Sequence, residues 1–150
     1  MKGIYRALFV LHIFVGIGAL FGGSAAIIYP KAPLGMPLDP LKNTPFDDYL
    51  IPGIILFTVI GLGNIISAFT LRAKSKFQGY ISSVFSWALV IWIVVQCVML
   101  RAVAFLHVLY FIVGLLGAGL SIVLLFEQRL FPANIALNLY KSIKGKNISE

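Results

Sequence analysis

Residues 47–76 read DDYLIPGIILFTVIGLGNIISAFTLRAKSK: adjacent carboxylates, a long stretch without charge, and then Arg72, Lys74 and Lys76. The uncharged run from Leu50 to Leu71 has the length of a helix crossing a bilayer, which takes about 20 apolar residues. Acidic groups ahead of such a helix complement its positive dipole end, and Thr44-Pro45-Phe46-Asp47 has the spacing of a capping box. Asp47 and Asp48 therefore read first as the start of a span. Pro52 is tolerated in a first turn, and Tyr49 stands where an interfacial anchor belongs.

Three more runs of the same kind lie at Ala7 to Tyr29, Tyr80 to Leu100 and Val103 to Phe126. The expected fold is all-α: a polytopic membrane four-helix bundle over residues 1–130, then a basic tail over 131–150. Composition agrees, because the chain is 60% hydrophobic and 11% charged, whereas soluble domains carry about a quarter charged residues. Its formal charge of +7 sits in short clusters between apolar runs, without an aromatic-rich sheet for bases. Anionic lipid headgroups, and not nucleic acid, are the expected basic-patch partner.

Basic residues set the expected orientation. Lys2, Arg6, Arg72, Lys74, Lys76, Arg129, Lys141, Lys144 and Lys146 fall on one side, against Lys31, Lys42 and Arg101 on the other. The side richer in basic residues is cytoplasmic by this rule, and both termini lie on it. The apolar stretch after Lys2 and Arg6 is longer than a signal-peptide core, so it reads as a retained span.

The connections differ in kind. Arg101 and Ala102 barely separate the last two spans, which forces an antiparallel hairpin. The segment from Pro30 to Tyr49 holds Pro30, Pro33, Pro37, Pro40 and Pro45, which forbids a regular helix and predicts an extended, turn-rich outer cap. Leu34, Met36, Leu38, Leu41 and Phe46 are expected to pack it onto the helix ends. Beyond Pro132, the positions Ala136, Leu139, Tyr140 and Ile143 share one helical face, opposite Asn134, Asn138 and Lys141. That pattern predicts an amphipathic helix on the inner membrane surface. The sequon Asn147-Ile148-Ser149 falls on the cytoplasmic side and reads as chance.

Lipid gives helices no hydrophobic reason to associate, so small residues must permit close approach. Gly18 and Gly22 form a GxxxG match that Ala26 extends. Gly61, Gly63 and Ser67, and Gly114, Gly117, Ala118, Gly119 and Ser121, offer further contact surfaces. A left-handed bundle with these seams inside the chain, and not a dedicated dimer interface, is the expectation.

Each candidate for chemistry has a plain structural reading beside it. Asp47 and Asp48 with Gln96, Arg101 or His107, all near the outer end, could form a ligand, partner or headgroup site; the plain reading is helix capping. Gln96 lies in an apolar span and should bond another helix or the first loop. His12 and Asn64 lie at comparable depth and could face each other; a histidine inside a membrane raises a functional hypothesis, and a bonded neutral imidazole is the plain alternative. Trp87, Trp92, Tyr80 and Tyr110 read as anchors or core, and Glu127 with Arg129 as a surface ion pair.

Exclusions follow from what is missing. Only Cys97 is present, so neither a disulfide nor a cysteine-based zinc site can form. His12 and His107 fall near opposite faces and suit no single haem iron. No carboxylate lies within a proposed span, which argues against a proton-driven exporter. Phosphate-binding loops, dinucleotide fingerprints, zinc-protease motifs and nucleophile elbows are all missing. No cofactor or metal is expected.

Gly18-Ala19-Leu20-Phe21-Gly22-Gly23, Pro45-Phe46-Asp47-Asp48-Tyr49-Leu50-Ile51-Pro52-Gly53, Gly61-Leu62-Gly63-Asn64, and Trp92 followed by Gln96 occur in an order that resembles a group of small bacterial four-span membrane proteins, known mainly as uncharacterised. The resemblance covers most of the first three spans. It implies an inner-membrane location and the same layout, and brings no activity with it. The leading functional expectation is a non-enzymatic membrane protein binding a lipid or a membrane-protein partner. Alternatives are a transporter or channel subunit working as a homo-oligomer through a path lined by His12 and Asn64, and a membrane enzyme acting on a lipid headgroup.

Overall fold

The computed structural model describes residues 2–128 and 133–146. Four of its helical segments are long and apolar enough to cross a membrane. The first, α1 (Lys2–Ile28), starts five residues before the apolar run, because nothing in Lys2 to Arg6 breaks a helix. The second span is composite: α2 (Leu50–Ile55), a π-helical segment (Leu56–Leu62) and α3 (Gly63–Arg72). Helices α4 (Gln78–Leu100) and α5 (Phe105–Glu127) form the hairpin, and α6 (Ala133–Lys146) follows.

Large apolar side chains such as Val10, Ile17, Phe21, Ile91 and Leu116 are exposed around the bundle. In water they would be a liability; against lipid they are the expected outer surface. The interior holds Val15, Ala19, Ile60, Leu89, Trp92 and Ile93, with a second cluster of Leu8, Leu71 and Leu124 nearer the chain termini.

Close approach occurs chiefly between α1 and the composite span. A Cβ on Gly23 would lie 2.7 Å from the backbone nitrogen of Phe57, one on Gly53 would lie 2.6 Å from the Ala26 Cβ, and one on Gly16 would meet the Gly61 carbonyl at 3.3 Å. The seam is therefore Gly16, Gly23 and Ala26 against Gly53, Phe57 and Gly61. Ala26 and Gly61 were expected packing positions, whereas Gly18 and Gly22, expected to carry the contact with them, do not meet the backbone of the second span. Those two glycines face Tyr110 and Leu56 side chains. In the hairpin, Gly114 faces Val90 and Gly117 faces Ser86, while Gly119 has open space around its Cα.

The π segment lies along this seam. The N–H of Gly63 bonds the carbonyls of Ile60 and Thr58, and the Thr58 hydroxyl donates to the Ile54 carbonyl at 2.7 Å. Such wide turns occur mostly as short insertions within α-helices, often where a helix carries function.

The Pro30–Tyr49 loop has two short 3₁₀ turns, Pro33–Gly35 and Asp39–Leu41. Leu41 and Tyr49 are buried with Ala26, and the Tyr49 hydroxyl donates to the Pro37 carbonyl at 3.0 Å. Leu34 and Met36 remain exposed, so only part of the expected apolar set packs down. Leu34 adopts φ 51°, an uncommon conformation for a bulky side chain. On α6, Ile135, Leu139, Tyr140 and Ile143 are exposed. The sequon and Arg129 lie outside the described residues.

Candidate functional site

The half of the bundle nearer the termini is closed by a chain of buried polar groups with one member from each span. His12 on α1 donates from Nδ1 to Asn64 Oδ1 on α3 at 2.7 Å, and its Nε2 lies 2.6 Å from Ser82 Oγ on α4. Ser82 Oγ is 2.8 Å from Ser121 Oγ on α5, which donates to the Gly117 carbonyl at 2.6 Å. All four side chains are fully buried. Asn64 Nδ2 donates to the Ile60 carbonyl at 2.8 Å. This turns the amide oxygen toward the imidazole and places a hydrogen on Nδ1.

Counting hydrogens shows how tightly the chain is matched. A neutral ring and two hydroxyls bring three hydrogens to four contacts, so the Ser121 hydrogen is shared between Ser82 Oγ and the Gly117 carbonyl. Closer to the termini, Tyr5 Oη accepts from Gln78 Nε2 and Gln128 Nε2, both at 3.3 Å.

The opposite half, beneath the Pro-rich loop, contains a cavity of about 430 Å³. Val15, Ile60 and Leu89 line its deep end, and Gly18, Gly22 and Ala26 line the α1 wall. The stripe read from sequence as a packing surface thus borders a void: Ala26 packs on Gly53 and Gly18 is met by the Tyr110 hydroxyl, while Gly22 has only the end of Leu56 near it. Phe21, Leu34, Met36 and Leu106 line the cavity and are exposed, so its mouth opens beneath the loop, between α1 and α5, toward the lipid-facing side.

Five side chains with polar atoms line this otherwise apolar space: Tyr49, whose hydroxyl is taken by the Pro37 carbonyl, Trp92 and Gln96 from α4, and His107 and Tyr110 from α5. Trp92 is 9% exposed, and its buried Nε1–H has no acceptor among the described residues. Gln96 has no hydrogen-bond partner there either, which corrects the expectation that it bonds a helix or the first loop. Tyr110 stacks on Phe14 with ring centroids 5.6 Å apart, and its hydroxyl sits against Gly18, where a Cβ would displace it. His107 Nδ1 accepts the Ala104 N–H at 3.0 Å, so the neutral ring carries its hydrogen on Nε2.

The acidic pair divides its roles. Asp48 Oδ1 accepts the Leu50 N–H at 2.9 Å and starts α2, while Asp47 is exposed. Thr44 does not form the capping box with Asp47; its hydroxyl donates to the Leu41 carbonyl and accepts from Phe46 N–H. No hydrogen bond or ion pair joins either carboxylate to Gln96, Arg101 or His107 among the described residues. Arg101 is exposed and ends α4 in a left-handed conformation. Thus His12 and Asn64 meet, Gln96 and His107 share a cavity wall, and Asp47, Asp48 and Arg101 stand outside both places.

Sequence reasoning did not single out Ser82 or Ser121 for the buried chain, or Trp92 and Tyr110 for the cavity. Depth along the helices was the available signal: Trp92 precedes Gln96 by one turn and Tyr110 follows His107 by one. Comparison with protein families, curated proteins and solved structures finds no match.

Proposed function

We propose that this chain is a small non-enzymatic membrane protein that binds a membrane lipid in the cavity beneath its Pro-rich loop. The observation carrying this reading is the cavity itself, built from Gly18, Gly22 and Ala26 and open on the lipid-facing side. Binding cavities for small molecules are mostly apolar, with a few polar groups that fix orientation, and Gln96, His107 and Tyr110 fit that description.

The setting we assign is a bacterial inner membrane with both termini cytoplasmic, in keeping with the basic residues and the resemblance to small four-span proteins. The loop end then faces outward. Helix α6, with Lys141 and Lys144 beside Leu139, Tyr140 and Ile143, rests on the inner leaflet.

Mass spectrometry of the protein in native lipid discs tests the assignment. Wild type is expected to retain a lipid that Gly22→Leu loses, since a Cβ at Gly22 meets only Leu56 at 3.4 Å and the longer side chain enters the cavity. Equal retention by both would remove the cavity as the binding site.

A further inference from the structure

We infer that the lipid is an isoprenoid-type quinone: an uncharged flat ring with carbonyl oxygens on opposite edges, carried on an apolar chain. This rests on the lipid-binding reading above and specifies the head that the cavity receives.

Charge is the first discriminator. The lining contains no Lys, Arg, Asp or Glu, so a phosphate drawn into it would lose water without gaining a counter-charge. The occupant's buried part is therefore neutral.

Hydrogen-bond polarity is the second. Trp92 borders the cavity with its ring, while its Nε1–H is closed off within the protein. His107 presents Nε2–H because Nδ1 is already accepting. The Tyr110 hydroxyl and the Gln96 Nε2 add donors that bond no protein group among the described residues; Gln96 Oε1 and Tyr110 Oη can also accept, but the hydrogens outnumber them. A molecule that completes this set brings acceptors.

Spacing is the third. Trp92 and Gln96 lie four residues apart on one face of α4, a rise of about 6 Å. His107 and Tyr110 lie three apart on α5, with the helix running the other way. The donors consequently form two tiers, Gln96 with His107 near the loop and the Tyr110 hydroxyl one turn deeper, beside the Trp92 ring. A ring bearing a carbonyl at each edge reaches both tiers; the ester group of a glycerolipid reaches one. Trp92 and Tyr110 also border the space with aromatic side chains, and a chain leaves through the mouth at Phe21 and Leu106.

Trp92 provides its own reporter. The chain has two tryptophans, and Trp87 is on the exposed surface, so Trp87→Phe leaves Trp92 alone. The protein is placed in phosphatidylcholine discs and titrated with a decyl-substituted naphthoquinone. Expected is quenching that saturates at one quinone per chain, an affinity about tenfold weaker in Tyr110→Phe and in Gln96→Leu, and no saturable phase in Gly22→Leu. Should Gly22→Leu fail to fold, the first two variants carry the test, since one removes only a hydroxyl.

Quenching that rises linearly with quinone and is the same in every variant overturns the inference. If quinone fails to saturate while diacylglycerol or a phospholipid is retained by wild type and lost in Gly22→Leu, the head-group inference falls and the lipid site stands. If Gly22→Leu changes neither quinone quenching nor lipid retention, both fall.

Discussion

In the half of the bundle nearer the termini, His12, Asn64, Ser82 and Ser121 each have a partner and are fully buried. Beneath the loop, the Gln96 amide and the Tyr110 hydroxyl have none among the described residues, and they stand around about 430 Å³ of space. The same four spans build both regions. The half nearer the termini is not matched throughout, since Ser67 Oγ, Gln78 Oε1, Ser86 Oγ and Gln128 Oε1 are buried there without a partner among the described residues. The four-residue chain serves cohesion, and the groups that front the cavity are where a bound molecule changes the balance most.

The largest expected effect separates the halves directly. His12→Ala removes a buried ring and orphans Asn64 Oδ1, and should cost about 3 kcal/mol in thermal unfolding in lipid discs. Gln96→Leu removes an amide that has no protein partner and should stay within about 0.5 kcal/mol of wild type. Equal losses in the two variants would erase the distinction between the buried chain and the groups that front the cavity.

Neighbouring glycines sharpen it next. Gly23→Ala places a methyl against the Phe57 backbone and should destabilise by about 2 kcal/mol. Gly22→Ala meets only the end of Leu56 and should be neutral or slightly stabilising, because alanine is the better helix former by up to about 1 kcal/mol. Unfolding curves that ranked the pair the other way would return the seam to Gly18 and Gly22.

The acidic pair gives a smaller contrast. Asp48→Ala loses the bond to Leu50 N–H and should cost about 1 kcal/mol, while Asp47→Ala should change nothing measurable in the same unfolding assay. Smallest is an alkaline effect at the loop. Burial raises the Tyr49 hydroxyl above its usual pKa of 10.0, so the fold favours the neutral phenol. That contribution is complete below pH 10 and is lost as pH rises through the folded value. Proteolysis within residues 30–49 should accelerate there in wild type and not in Tyr49→Phe.

Span positions were legible because a bilayer imposes a length and forbids charge, and no local detail competes with that. His12 and Asn64 were legible as neighbours from depth alone. Gly18 and Gly22 were misleading because glycine spacing marks a bare helix face without saying whether backbone or empty space lies opposite. Ser82 and Ser121 carried no signal, since serine in a membrane helix can satisfy itself on a carbonyl one turn back, as Ser121 does on Gly117. The π segment was hidden as well: Leu56 to Leu62 is as apolar as an ordinary span, and nothing in its residue types marks the wider turn.

The buried polar chain also divides at one link. His12 and Asn64 belong to the first two spans, Ser82 and Ser121 to the last two, and between these pairs the chain passes only through His12 Nε2 and Ser82 Oγ. During synthesis the N-terminal pair can close before the third span leaves the ribosome, and the hairpin can close by itself. The exposed turn at Arg72 to Lys76 is then a natural place to sever the gene. Two co-expressed fragments, each with its own internal clasp, should find one another in the membrane and restore the whole by closing that link, the bonds from Gln78 and Gln128 to Tyr5, and the packing around them.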